Sequence, residues 1–329
     1  MAAPMSFFPR IIIGATTFTV VVAGALYLYY RSRYIFKRKP SDTVSASTSE
    51  QHLAKEEREQ QKDKSRALGS PNTEREISVV SLIKLLDTND ESQLCKVLTT
   101  IANKAAFTEG QNAVWFAGGL PVIIRLLGRD SDRVRTCTAS CIANLSLNSH
   151  NQPVLKACIP TLLSLSTDPL HTKGLRLASI QALVNLSVSG RCGEYFSQPS
   201  ALQSLFELLG DGSSSLGQQA LRVLVNLSAD ETVVPALLSF EVPTDFASLL
   251  ASHHPPESLL RTLSFLVNLR RAILATPVRT TSESASQDFS SLFTGGTRAL
   301  RVAVETLMHH GNADVEQQAR RLLVMLSGP

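Results

Sequence analysis

Five asparagines recur along this chain at a nearly constant spacing, each within the same apolar pattern. Successive members lie 41, 41, 41 and 42 residues apart. An amide side chain both donates and accepts hydrogen bonds, so a row of amides can pair with the N–H and C=O groups of a peptide backbone. Such a row either contacts an extended partner segment or bonds neighbouring backbone and water and merely marks the repeat. The five are Asn103, Asn144, Asn185, Asn226 and Asn268.

Residues that perform catalysis or bind metals form no recognisable motif in this sequence. It contains no P-loop, dinucleotide fingerprint, His-Glu-x-x-His motif or nucleophile elbow. The histidine pairs at 253–254 and 309–310 are adjacent, so their members point to different sides of a helix. Cys137 and Cys141 share a helical face, but no further pair at ligand spacing completes a metal site. We therefore predict a protein that is not an enzyme and needs no cofactor or metal.

The residues around each asparagine predict the helix that positions it. Aliphatic residues occupy the position two before it, and small or β-branched residues occupy the position six before it. Together with apolar residues at five before, one before and one after, they form a broad buried helical stripe. A second aliphatic segment ends 24 residues after most of the asparagines, for example at Leu127, Leu209 and Leu250. Each unit thus holds at least two helices.

A sixth copy of the pattern has Met325 in place of asparagine. It lies 57 residues after Asn268, which equals one unit of 42 plus the 15 residues of a Ser/Thr-rich insertion at 276–290. Helical units of about 40 residues that stack to share one core form an α-solenoid. The sequence therefore predicts an all-α solenoid of about six repeats over residues 76–329.

The N-terminal segment has a different composition. Residues 11–30 contain no charge, and a helix of that length spans about 30 Å, the thickness of the hydrocarbon core. A short tail, 1–10, precedes it. A basic flank, 31–39, follows it and predicts that the C-terminal bulk faces the cytosol. The flank residues are Arg31, Arg33, Lys37, Arg38 and Lys39.

Other interpretations of this segment fit less well. A cleaved signal peptide would have a shorter apolar core and end in small residues, and a matrix presequence would be amphipathic and rich in arginine. We therefore predict a signal-anchor helix, which contacts membrane lipid through residues 11–30. A small-xxx-small stripe at Ala15, Thr19 and Ala23 would suit pairing of two spans, although chance spacing explains it equally well.

The remaining charge and the cysteines restrict the class of protein further. Residues 40–75, rich in Ser/Thr and mixed charges, predict a disordered or solvated linker. Residues 76–329 carry a net charge of −1, so the predicted folded domain gives no sign of a nucleic-acid partner. The five cysteines lack disulfide spacing and suggest small core residues in a reducing compartment.

The repeated segment resembles a known family. Leu183-Val-Asn-Leu-Ser187 and its copies look like the end of the third helix of an armadillo repeat, and Gly119-Leu-Pro121 looks like the entry to a second helix. With the anchor in front, the chain resembles the single-span armadillo proteins, which include the X-linked armadillo group. Residues 103–112 and 292–296 look most like that group. The resemblance implies the mitochondrial outer membrane, with the endoplasmic reticulum as the alternative.

The resemblance also implies a protein-binding function. In armadillo proteins the third helices line a concave groove where asparagine side chains bond an extended peptide, so the five asparagines, Gln181 and Arg222 are candidate groove residues. For the single-span group it implies a role in mitochondrial distribution with a small-GTPase and motor-adaptor complex. Nuclear-import members have tryptophan four residues before the asparagine, whereas this chain has other residues there, so recognition of nuclear signals is not expected. Self-association as a membrane tether is the alternative function.

Overall fold

A computed structural model of the chain describes residues 78–210, 212, 214–275, 288–294 and 297–327. All of them belong to one compact unit, Ile77–Pro329. The predicted membrane segment 11–30, its basic flank, the linker and residues 276–287 of the predicted insertion lie outside the described residues. Within the described part, none of the helices is both long enough and apolar enough to cross a bilayer.

The described residues form an α-helical solenoid whose repeats contain up to three helices. Short first helices lead into second helices, and longer third helices end each repeat. The third helices are α2 (Glu91–Lys104), α5 (Asp132–Leu145), α8 (Lys173–Ser187), α11 (Ser215–Leu227), α13 (Pro256–Ala275) and α16 (Ala313–Ser327). The second helices are α1 (Val79–Lys84), α4 (Gly119–Arg125), α7 (Ile159–Thr167), α10 (Pro199–Leu209), a 3₁₀ helix (Phe246–Leu250) and α15 (Thr297–Leu307). The first helices are α3 (Thr108–Phe116), α6 (Gln152–Leu155), α9 (Gly193–Phe196), α12 (Val234–Leu238) and α14 (Phe289–Thr294).

A side-chain cap fixes the start of most third helices. The Asp90 carboxylate accepts from the N–H groups of Ser92 and Gln93, at 2.8 and 3.1 Å. The next three third helices follow the hydroxyl caps Ser131, Thr172 and Ser214. These caps satisfy N–H groups that have no partner within the helix. They recur at almost the same spacing as the asparagines, so the repeat is encoded at both ends of the third helix.

The predicted core columns are confirmed. Successive third helices pack on one another, and each packs on its own second helix. Two positions before the asparagine, Ile101, Ile142 and Leu183 have no exposed surface, and six before it Thr138 and Ser179 have none either. The narrow residues in the second column let neighbouring third helices approach closely. In the last copy the stripe narrows, because Arg320 stands five residues before Met325 and is exposed.

The boundary of the predicted insertion differs from the structure. The described chain leaves α13 at Ala275 and resumes at Asp288, which forms an isolated antiparallel bridge with Glu241. Phe289 then begins α14 and is fully buried. Residues 288–290, which composition assigns to the insertion, therefore belong to the packed repeat, because a phenylalanine among serines fills the core.

Candidate partner-binding strip on the third helices

The five predicted asparagines lie at equivalent places near the ends of five third helices. Asn144, Asn185, Asn226 and Asn268 are half-buried, and Asn103 is exposed. Because successive third helices pack side by side, the four half-buried amides each lie beside the end of the preceding third helix. The structure thus brings them into one row, as the sequence predicts. Whether a partner contacts that row stays a prediction.

Three of these amides donate across the repeat boundary to backbone carbonyls. Asn144 Nδ2 donates to the Ala102 oxygen at 2.9 Å, and Asn185 Nδ2 donates to the Ala143 oxygen at 2.8 Å. Asn226 Nδ2 donates to the Val184 oxygen at 3.1 Å. Each acceptor is the residue immediately before the preceding repeat's own asparagine. The amide row therefore connects each third helix to the one before it.

The position of these carbonyls explains why they accept hydrogen bonds from side chains. The last four carbonyls of an α-helix have no partner within the helix. At the end of α5 the following N–H groups bond the carbonyls of Ile142, Asn144 and Leu145, and the Ala143 carbonyl is left over. Asn185 supplies a side-chain donor to it from the next repeat. The asparagine thus caps the C-terminal end of the preceding repeat's third helix.

The serine two residues after the asparagine donates to the same kind of backbone carbonyl. Ser146 Oγ donates to the Ala143 oxygen at 2.8 Å, and Ser187 Oγ donates to the Val184 oxygen at 2.9 Å. The carbonyl therefore accepts from both its own repeat's serine and the next repeat's asparagine. These two donors are the physical basis of the Asn-Leu-Ser motif, and the role of its serine is not evident from the sequence pattern.

The one spacing of 42 residues changes the contact in that repeat. Asn268 Nδ2 does not reach the carbonyl of Val225 but donates to Ser228 Oγ at 3.0 Å. Ser228 Oγ in turn donates to the Val225 oxygen at 2.7 Å. Asn226, at the regular spacing, donates both to Ser187 Oγ at 3.0 Å and to the Val184 oxygen, whereas Asn268 is connected to the carbonyl only through the serine hydroxyl.

The amides retain hydrogen-bonding capacity after making these contacts. Within the described residues, the amide oxygens of Asn144 and Asn185 accept no hydrogen bond from protein. Four residues before each asparagine the side chain is also never fully buried: Ser140 and Gln181 are exposed and Arg222 is half-buried. We call the side chains at the asparagine position and at four and seven residues before it the third-helix strip. It offers acceptors and donors to a ligand without breaking the amide row.

Arg222, the other predicted strip residue, is held by a neighbour on its own helix. Its Nη1 donates to Gln219 Oε1 at 3.0 Å. Burial lowers the pKa of the Arg222 guanidinium, and the nearby Arg261 lowers it further. A guanidinium nevertheless stays protonated at neutral pH. The strip therefore has a fixed positive charge at this point.

The thiols lie in the core rather than in a reactive site. Cys95, Cys141, Cys158 and Cys192 are buried, Cys137 is half-buried, and all five are free. Burial raises the pKa of Cys158 to about 12 and that of Cys192 to about 11, so neither forms the reactive thiolate at neutral pH. In the part of the chain that the structure describes, no three His, Cys, Asp or Glu side chains group as metal ligands.

The shared carbonyl gives a prediction about stability. Either donor alone satisfies the Ala143 oxygen, so Asn185→Ala and Ser146→Ala should each lower the free energy of unfolding by about 1 kcal/mol. The double variant leaves the carbonyl without a donor, so its loss should exceed the sum of the single losses by about 0.5–3 kcal/mol. Urea unfolding of all four chains measures this coupling. Strict additivity would contradict a shared acceptor.

The same cycle on distant donors provides the control. Ser146→Ala combined with Asn226→Ala removes two donors that serve different carbonyls, Ala143 and Val184. Their losses should therefore add, since sites without shared partners are usually independent.

Helical repeats of about 40 residues that stack on one another to share a core define an α-solenoid. The chain belongs to the armadillo-like family, whose pattern it matches over residues 76–294.

Solved structures of designed armadillo proteins are similar to this chain. The designed armadillo repeat protein YIII(Dq)4CqI is 18% identical with a TM-score of 0.60, covering 75% of this chain and 99% of its own. The designed protein YIII(Dq.V1)4CPAF, solved in complex with the peptide (KR)4, is 17% identical with a TM-score of 0.58, covering 76% and 100%. A set described as computationally designed for modular peptide recognition includes a chain that is 18% identical with a TM-score of 0.57, covering 75% and 98%. At these identities the likeness establishes the fold alone.

Proposed function

We propose that this protein is a membrane-anchored, non-enzymatic scaffold whose third-helix strip binds an extended segment of a partner protein. One observation carries the proposal: the half-buried amides of Asn144 and Asn185 stabilise the array with one N–H while their oxygens remain available. An extended peptide needs acceptors for its N–H groups at regular intervals. A rigid row of amides supplies them in a fixed geometry, which lowers the cost of ordering the site.

The similar designed proteins support a peptide as the ligand class. One is described in complex with the peptide (KR)4 and another as built for modular peptide recognition. They use the same kind of solenoid as this chain. The exposed side chains Ser140 and Gln181, which border the amides, are the first positions at which specificity would arise.

The membrane part of the proposal is supported by the sequence. The uncharged residues 11–30 suit one transmembrane helix, and the basic flank 31–39 favours a cytosolic solenoid. The resemblance to single-span armadillo proteins favours the mitochondrial outer membrane and a role in mitochondrial distribution. The partner class is then the small-GTPase and motor-adaptor machinery of that organelle.

A second candidate function is a self-associating tether or regulator at the endoplasmic reticulum membrane. It is favoured by Val324, which stands one residue before Met325 and is 73% exposed. The equivalent residues Val184 and Val267 are 2% and 1% exposed, because a following repeat covers them. A largely exposed apolar side chain at the position that is buried at Val184 and Val267 suits contact with another copy.

Proximity labelling from cells tests the two functions with one set of chains. The intact protein should label outer-membrane and motor-adaptor proteins, and deletion of residues 1–39 should remove that pattern. Ser140→Tyr with Gln181→Tyr should abolish partner labelling without changing the location, because the added rings fill the strip. Ser164→Tyr with Gln203→Tyr is the matched control, since both residues are exposed on second helices.

The alternatives give different results in the same experiment. Unchanged location after deletion of residues 1–39 would reject the anchor. Equal labelling by the strip variant and its control would reject the strip as the binding surface. Labelling that falls chiefly on a second, differently tagged copy at the endoplasmic reticulum would support the tether instead.

A further inference from the structure

Two of the five free thiols lie on neighbouring third helices at the first repeat boundary. Cys95 is on α2 and Cys137 is on α5, and these two helices pack side by side. Cys137 stands seven residues before Asn144, so it belongs to the third-helix strip. It is half-buried, whereas Cys95 is 6% exposed. The pair thus combines one sulfur that solvent reaches with one inside the core.

The asparagine contact at this boundary sets the position of the two thiols. Asn144 Nδ2 on α5 donates to the Ala102 oxygen on α2 at 2.9 Å. Cys137 stands seven residues before Asn144, and Cys95 stands seven residues before Ala102. Seven residues come within about 20° of two full helical turns and move each position about 10 Å towards the helix start. The thiols therefore lie on the same two facing surfaces as the bonded pair.

A second hydrogen bond joins the same helices on the other side of the thiols. Ser131 Oγ, which caps α5, donates to Glu91 Oε2 at the start of α2, at 2.9 Å. Cys95 and Cys137 lie between these two bonded points, so the helices stay together where the sulfurs meet.

The two thiols are in hydrogen-bonding contact. Burial and this hydrogen bond with Cys137 raise the pKa of Cys95 to about 11. A hydrogen bond that raises the pKa of a thiol stabilises its protonated form. Cys95 is therefore the donor and keeps its proton at neutral pH, while the Cys137 sulfur accepts.

We propose that Cys95 and Cys137 form an oxidation site, at which hydrogen peroxide closes a reversible disulfide that fastens the first third helix to the second. Both thiols are free in the resting chain. Disulfides of reducing compartments are usually transient and redox-sensing. The pair is not a catalytic thiolate, and its distinguishing feature is that oxidation of one sulfur places a sulfenic acid beside a second thiol. The oxidation site does not depend on peptide binding by the strip, because it lies between two repeats of the same chain.

The reaction balances with peroxide as the oxidant. The Cys137 sulfur attacks one peroxide oxygen, the O–O bond breaks, and the sulfur becomes a sulfenic acid as one water leaves. The Cys95 sulfur then attacks the sulfenic sulfur, the S–O bond breaks, and the Cys95 proton leaves with the hydroxyl as a second water. The two thiols lose two electrons and two protons, which the peroxide gains. Cys137 reacts first because it is the more accessible sulfur.

Peroxide treatment of the full-length chain in neutral detergent tests the site. The reduced protein is treated with hydrogen peroxide, its remaining thiols are blocked with N-ethylmaleimide, and it is digested with trypsin without reduction. Trypsin leaves Cys95 on one peptide, 85–96, and Cys137 with Cys141 on another, 136–156. We expect a joined product about 2 Da lighter than the sum of the two peptides, and dithiothreitol should separate it.

Three single variants assign the bond to its thiols. Cys137→Ser should abolish the joined product. Cys95→Ala should abolish it too and should increase dimedone labelling of Cys137 at least about fivefold, because the sulfenic acid is no longer consumed. Cys141→Ser is the matched control, since it removes a thiol one turn from Cys137 that has no exposed surface, and it should give the product of the original chain. Circular dichroism and thermal melting confirm that each variant is folded.

The disulfide should also slow the local opening of α2. A third helix that is tied covalently to its neighbour opens only together with that neighbour, and local opening governs amide exchange. Exchange of the α2 amides should therefore fall at least about tenfold on oxidation of the original chain and of Cys141→Ser. It should not fall on oxidation of Cys137→Ser.

Four results would overturn the oxidation site. In the first, peroxide oxidises Cys137 and leaves Cys95 as a free thiol. In the second, the disulfide joins two separate chains, and in the third, Cys141→Ser abolishes the product. In the fourth, the bond forms but exchange in α2 stays as fast as in the reduced chain. None of these results would reject peptide binding, which the strip variant Ser140→Tyr with Gln181→Tyr tests.

Discussion

Replacing Phe289 with alanine should lower the free energy of unfolding by about 3–5 kcal/mol. The ring is fully buried and lies among three others, with its centroid 5.6 Å from that of Phe206, 5.1 Å from that of Phe246 and 5.4 Å from that of Phe265. The contacted rings belong to α10, a 3₁₀ helix and α13. Truncation therefore leaves a cavity between two repeats and also removes favourable edge-to-face contacts.

The loss should be local in origin, because each repeat of a solenoid contacts only its neighbours. Hydrogen exchange should increase first in α12, α14 and the Phe246–Leu250 helix, and chemical unfolding gives the total loss. Phe116→Ala is the control, since that ring is 85% exposed and its removal should change stability by less than about 0.5 kcal/mol. A loss below about 1 kcal/mol at Phe289 would contradict its place in the core.

The solenoid itself was predictable because its determinants are periodic. A buried column has the same residue class in every repeat, so Ile101, Ile142 and Leu183 identify their helices without any tertiary information. The family match and the buried columns confirm that interpretation. The helix caps Ser131 and Thr172 are equally periodic and could have been found from the same alignment of repeats.

The sequence alone does not show which groups the asparagine side chains bond. A recurrent amide is compatible with a peptide ligand and with an internal contact, because its chemistry suits both. The structure shows the internal contact, through one N–H of Asn144 and Asn185, and it leaves their amide oxygens available. The two interpretations weighed for the sequence are therefore compatible. The partner contact itself remains a prediction.

Contacts that recur in only one or two repeats could not be predicted from the periodic pattern. Gln111 Nε2 donates to the oxygens of Ala105 and Asn144, at 2.9 and 3.2 Å, and so joins two repeats. Gln152 stands at the corresponding place in the next repeat and donates to the Ser146 oxygen at 2.8 Å, but the two repeats after it have Gly193 and Val234 there. Phe289 is similar, because it lies in a stretch of loop-like composition. Such contacts depend on long-range geometry, which composition and local periodicity do not encode.

The third-helix strip is charged in some repeats and neutral in others for one reason. The positions four residues before the asparagine are not needed for packing, so they can vary between repeats while the core columns cannot. Thr99, Ser140 and Gln181 in the first half and Arg222 and Arg321 in the second are the result. Selectivity for a partner is therefore expected at these positions, and the amide row supplies the constant part of the site.

Replacing Asp230 with asparagine should lower the free energy of unfolding at neutral pH by about 3 kcal/mol. The residue is 5% exposed and connects two repeats. Its Oδ2 accepts the Cys192 N–H at 2.7 Å, and its Oδ1 accepts the N–H and hydroxyl of Thr232 at 3.0 and 2.7 Å. An asparagine would place an N–H against one of these donors. The loop before α9 would then lose its anchor.

The same carboxylate should make stability depend on pH. Burial alone would raise the pKa of Asp230, but the hydrogen bonds from Cys192 and Thr232 outweigh burial and hold that pKa below its ordinary value. A carboxyl whose pKa is lower in the folded state stabilises the fold at pH above its unfolded value of about 4. That contribution is lost as the pH falls through the pKa of the folded state. Urea unfolding from pH 7 towards acid should therefore show a decline that is smaller in Asp230→Asn.

Glu231→Gln separates this effect from a change of net charge. Glu231 is the adjacent residue and is exposed, so its substitution removes the same charge without touching the buried contacts and should change stability by less than about 0.5 kcal/mol. It should also retain the pH dependence of the original chain. Equal pH dependence in the original chain and in Asp230→Asn would mean that the acid sensitivity arises elsewhere. In that case the Cys192 and Thr232 donors do not depend on the charge of Asp230.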